Sequence, residues 1–99
     1  MARLASRPSM RDIDTIISAL LDLHPQIKVE QLQVKYAADD DGLWFFSHPD
    51  SRFEVQLESS YGVCPFIFET DEHHNCLEAN TCDEAVMLVE HGLGLKRQP

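Results

Sequence analysis

The sequence predicts an α+β fold, a two-layer sandwich in which a four-stranded antiparallel meander carries two helices on one face, in the order α-β-β-β-β-α. Three observations carry that expectation. Residues 52–58 alternate, with Phe53, Val55 and Leu57 on one side and Arg52, Glu54, Gln56 and Glu58 on the other, the period-2 signature of a half-buried strand. Apolar stripes at helical spacing lie near both ends of the chain, Ile13, Ile16, Ile17, Leu20 and Leu21 in one and Cys82, Ala85, Val86 and Val89 in the other. The turns between the apolar runs are short, which suits an antiparallel meander. Helices with one apolar stripe and a sheet with one polar face pack most economically in two layers, leaving one sheet face for solvent or a partner.

The elements follow in order. Residues 1–8 read as a disordered tail, 9–95 as a single domain and 96–99 as a C-terminal tail; the 99 residues suffice for one core. Ser9 is the expected N-cap of the first helix, with Asp12 three residues on, and Pro25 ends that helix near Leu23 or His24. Ile27 and Val29 share one parity, and Leu32, Val34 and Tyr36 the other. Either a bulge lies at Glu30-Gln31, or the strand begins there. Asp39-Asp40-Asp41-Gly42 and His48-Pro49-Asp50-Ser51 are turns around an apolar strand, 43–46. Ser59-Ser60-Tyr61-Gly62 turns the chain into the run 63–68, where Pro65 marks either an edge strand or a strand's first residue. Residues 70–80 read as a polar loop. Thr81 and Glu84 form a capping box for the second helix, and Gly92 and Gly94 are its stop signals.

Charge narrows the function. The formal net charge is −9, and between Asp39 and Leu95 Arg52 is the single base against thirteen acids. Such a surface repels nucleic acid and suits a basic partner, or serves solubility alone. There is neither an apolar run long enough for a membrane span nor a signal peptide, so the expected location is the cytoplasm, with no membrane partner. Three cysteines in such a chain read as reduced thiols.

Several residues invite a chemical reading. His73, His74, Cys76 and Cys82 are metal-ligand types within ten residues, but their spacing matches no standard zinc pattern. The triple aspartate lacks the glycine and glutamate that a calcium loop needs at its sixth and twelfth positions. Cys64 would need a lowered pKa and a base such as His48 to act as a nucleophile, and its apolar neighbours push the other way. The serine turn lacks the glycine that precedes a nucleophile elbow. In Trp44-Phe45-Phe46, alternation sends Trp44 and Phe46 one way and Phe45 the other, so one set is expected on the uncovered face as an aromatic platform. The interaction candidates are Trp44, Phe46, Arg52, Glu54, Gln56 and Glu58.

Gly42 to Phe46, Glu54 to Ser60, Gly62 and Cys64 to Ile67 together resemble a group of small bacterial proteins with a hairpin, an ESS-x-G-x-CPF turn and a capped C-terminal helix. The resemblance spans roughly the last sixty residues. It implies a compact α+β domain in the bacterial cytoplasm and transfers no activity. By size, charge and fold class the chain is also similar to immunity proteins and antitoxins, an analogy only.

The leading expectation is therefore a non-enzymatic protein–protein interaction module without a cofactor, binding a protein partner or a second copy of itself. The alternatives are a small enzyme using Cys64, His48 and Glu58, and a metal-binding protein using the 71–82 loop.

Overall fold

A computed structural model describes residues 11–32, 42–70 and 76–96. Helix α1 (Asp12–Leu23) starts later than expected. Its N-cap is Arg11, whose backbone N–H donates to the Asp14 carboxylate at 3.1 Å, and Ser9 lies outside the described residues. Asp12 and Asp14 place negative charge on the first turn, where the helix dipole favours it. The helix stops at Leu23, and the His24 N–H donates to the Leu20 carbonyl at 2.7 Å.

Five strands follow: β1 (Lys28–Gln31), β2 (Leu43–Ser47), β3 (Val55–Glu58), β4 (Phe66–Thr70) and β5 (Leu77–Ala79). They pair in chain order, each antiparallel to the next. The sheet thus has one strand more than expected. Leu77-Glu78-Ala79 is too short to stand out beside polar residues, but pairing with β4 satisfies its backbone. That pairing also corrects the reading of Pro65 as an edge marker: β4 lies between β3 and β5, and Pro65 directly precedes it. Strand β1 starts at Lys28, with Ile27 buried ahead of it. Val34 and Tyr36 lie outside the described residues.

Helix α2 (Cys82–Leu93) follows β5 directly. Thr81 Oγ1 accepts the Glu84 N–H at 3.1 Å, and Glu84 Oε1 accepts the Asn80 N–H at 2.7 Å, so the expected cap forms with its return bond shifted by one residue. Gly94 caps the C-terminus at φ 70°. Gly92 is no stop signal. It lies inside α2, where its Cα faces Val55, Phe68 and Thr70 so closely that a Cβ would sit 2.7–3.0 Å from their side chains.

Register assigns the faces. One set of cross-strand rows is Val29–Phe46–Val55–Thr70 and Gln31–Trp44–Leu57–Phe68–Leu77, with Phe66 opposite Ala79. Trp44, Phe46, Val55, Leu57, Phe66, Phe68 and Ala79 are all buried, together with Ile13, Ile16 and Leu20 of α1 and Ala85, Val86, Val89 and Leu93 of α2. Each fully buried large side chain contributes roughly 1.5–3 kcal/mol relative to exposure. Helix α2 packs against β3, β4 and β5, and α1 lies against α2. Trp44 and Phe46, expected as candidates for the uncovered face, are core residues at 3% and 0% exposure. Pairing sets them opposite Leu57 and Val55, and the Trp44 ring meets the Phe66 ring edge-on at 6.4 Å.

Candidate functional site

Three places bring functional side chains together. The first is the second face of the sheet, whose rows are Glu30–Phe45–Gln56–Glu69, Leu43–Glu58–Ile67–Glu78 and Lys28–Ser47. The Leu32 N–H donates to the Leu43 carbonyl at 2.8 Å, which continues the second row to Leu32. Leu32 and Ile67 are about two-fifths exposed, and Leu43 and Phe45 are half-buried. Glu30, Glu58 and Glu78 stand exposed around them, while Glu69 Oε1 accepts from Gln56 Nε2 at 3.0 Å. Of the six sequence-derived interaction candidates, Gln56 and Glu58 therefore lie on this face. Arg52 and Glu54 are exposed just ahead of β3, with the Arg52 guanidinium 5.7 Å from the centre of the Phe53 ring. The aromatic on this face is Phe45, the middle residue of the triplet.

The second place is the start of both helices. The Ile13 N–H donates to the Gly62 carbonyl at 2.9 Å, and the Cys64 N–H donates to Asp12 Oδ2 at 2.8 Å, so the β3–β4 turn docks on the first turn of α1. Gly62 sits at φ 72°, and a Cβ there would lie 2.9 Å from Ile13 Cγ2. The serine turn is thus a helix dock rather than an elbow. Cys82, first residue of α2, donates its thiol to the Asp12 carbonyl at 3.8 Å. An Asp12 carboxylate oxygen and the Cys64 and Cys82 sulfurs lie within 4.8 Å of one another. The Cys64 backbone N–H holds the Asp12 carboxyl below its ordinary value. Burial, reinforced by Asp12, pushes the Cys64 thiol up to about 12 and raises Cys82 as well. Thiols so shifted stay protonated at neutral pH and are poor nucleophiles.

Of the weak metal candidates His73, His74, Cys76 and Cys82, the two described members, Cys76 and Cys82, lie in different places. Cys76 lies on the second face, where its thiol donates to Glu69 Oε2 at 2.8 Å, which raises its pKa. Cys82 instead reaches under α1. His73 and His74 lie outside the described residues, as do Asp39, Asp40 and Asp41.

The third place is the opposite end of the helices. His24 Nε2 and Glu90 Oε2 are 2.6 Å apart, and both side chains are under 10% exposed. The His48 ring stands edge-on to His24, 6.4 Å away, and His48 Nδ1 accepts the Asp50 N–H at 3.0 Å. Contacts at both the starts and the ends show that the helices run parallel. The C-terminal ends of both helices therefore converge on this cluster. A groove of about 600 Å³ opens beside this cluster, lined by His24, His48, Asp50 and Lys96 among others. Its described lining holds no hydroxyl or thiol side chain. Ser51, in the adjoining groove, bonds the Phe53 backbone. The Cys64–His48 pair that the enzyme alternative requires is excluded. Cys64 sits at the start of α1 and His48 near its end, and twelve residues of helix span about 18 Å.

Sequence reasoning missed the His24–Glu90 pair, yet a signal was present. His24 follows Leu20 by four residues and Glu90 follows Val86 by four, so each extends an apolar stripe with a titratable group.

No family model, curated protein or solved structure matches the chain.

Proposed function

We propose that the chain is a non-enzymatic protein–protein interaction module. Both helices cover the Trp44–Phe68 face in a two-layer arrangement, and the second face docks a protein partner that is basic around an apolar centre. The observation that carries this reading is the patch of Leu32, Leu43, Phe45 and Ile67 ringed by Glu30, Glu58, Glu69 and Glu78, with Lys28 as its one base among the described strand residues. An apolar centre with a charged rim is the usual anatomy of a transient interface. The acidic rim speeds encounter with a basic protein and disfavours nucleic acid. It also disfavours a second copy, because two such faces would oppose acid to acid. The setting in which this operates is the cytoplasm.

The test compares proteins captured from a lysate of the source organism by the wild type, by Ile67→Arg on the second face and by Ser18→Arg on the exposed side of α1. The expected result is a basic protein held by the wild type and Ser18→Arg and lost by Ile67→Arg. Equal capture by all three, or loss only with Ser18→Arg, overturns the reading.

A further inference from the structure

We propose that Asp12, Cys64 and Cys82 form a binding site for a thiophilic divalent cation, with zinc the best chemical match, independent of the second face of the sheet. The three donors come from three separate elements: the first residue of α1, the β3–β4 turn and the first residue of α2. Two sulfurs and a carboxylate oxygen make a mixed soft and hard set that suits zinc and excludes magnesium and calcium, which take oxygen shells.

The geometry is close to what the ion needs. Bonds of about 2.3 Å to sulfur and 2.0–2.2 Å to oxygen place tetrahedral ligands roughly 3.5–3.8 Å apart. The donors already lie within 4.8 Å of one another, so rotamer adjustments of about an ångström close the site. Asp12 is pre-oriented for this: its carboxylate receives the Cys64 N–H, which fixes the side chain, and it also interacts with the Cys64 and Cys82 thiols, whose protons the ion would replace. Binding displaces both thiol protons to solvent, and the divalent ion with two thiolates and one carboxylate then carries a net charge of −1. It would sit at the amino ends of two parallel helices, where the dipoles favour negative charge. Cys64 also borders a groove of about 420 Å³ beside the β3–β4 turn, and all three donors are partly exposed, so a water can reach the ion as fourth ligand. Binding would tie both helix starts to the hairpin, and so act as a staple on the fold.

The test titrates the fully reduced chain with cadmium, a spectroscopic stand-in for zinc, and follows thiolate-to-metal charge-transfer absorption and equilibrium dialysis. The wild type and Cys76→Ser are expected to bind one ion through two thiolates. Cys64→Ser and Cys82→Ser should each weaken binding on the order of a hundredfold, since even outer-shell changes cost ten- to a hundredfold. In parallel, zinc should raise the melting temperature of the wild type and Cys76→Ser but not of the Cys64→Ser/Cys82→Ser double variant, whose circular dichroism reports whether it is folded. Absence of saturable binding to the wild type, undiminished binding to the double variant, or loss of binding on Cys76→Ser alone overturns the proposal.

Discussion

Replacing Gly92 by alanine sets two known effects against each other, and the structure decides the sign. Glycine inside a helix is worth about 0.8–1.0 kcal/mol less than alanine, so helix propensity alone forecasts a gain. At this position a Cβ would stand 2.7 Å from Val55 Cγ2, 2.9 Å from Phe68 Cζ and 3.0 Å from Thr70 Cγ2. Two of those neighbours are β-branched and stiff at χ1, and all three are anchored in paired strands. Overpacking in a dense core costs roughly 1–3 kcal/mol, and three simultaneous contacts at or below 3.0 Å belong near the upper end. The net expectation is a loss of about 1–2 kcal/mol, or roughly 4–16 °C in melting temperature for a domain of this size. Urea unfolding monitored by the fluorescence of Trp44, the one tryptophan and a core residue, measures it directly. Equal or higher stability in Gly92→Ala would refute the close seating of α2 on β3 and β4, and with it the assignment of the second face as the uncovered one.

Two further perturbations probe the helix ends. His24→Ala removes the 2.6 Å contact that His24 Nε2 makes with the buried Glu90, and losing a buried hydrogen bond of this kind costs about 1–3 kcal/mol; a loss under about 0.5 kcal/mol in urea unfolding would show that the contact is dispensable. Asp12→Asn keeps an acceptor for the Cys64 N–H and removes only the charge. Because the Asp12 carboxyl titrates below its ordinary value of 3.8, its charge stabilises the fold fully above that value, and the benefit disappears as pH falls through the lower folded-state value. The stability gap between wild type and Asp12→Asn should therefore be present at neutral pH and close in acid; a gap that widens in acid contradicts the assignment.

Much of the fold was legible because it is written in periodicity. The stripe through Ile13, Ile16 and Leu20, the alternation through Val55 and Leu57 and the Thr81 cap all correspond to elements of the structure. What was not legible depends on partners distant in sequence. The parity of Trp44-Phe45-Phe46 is symmetric until pairing with Val55 and Leu57 chooses a side, so the face was assigned to the wrong pair of rings. Strand β5 has three residues and owes its form to β4. Cys64 and Cys82 meet only because two helices run parallel, a relation that no local spacing encodes. On the second face, Gln56 and Glu58 could be read from alternation, whereas Phe45 and Ile67 needed the register.

The most direct measurement is carboxyl footprinting of the chain with the basic partner that capture identifies. Free and bound protein are labelled with carbodiimide and an amine, and the modification of each acid is read by mass spectrometry. If the second face is the docking surface, Glu30, Glu58 and Glu78 lose labelling in the complex, while Asp22, Asp83 and Glu84 on the helices label as before. Protection of the helix acids with undiminished labelling of Glu58 and Glu78 would contradict the account.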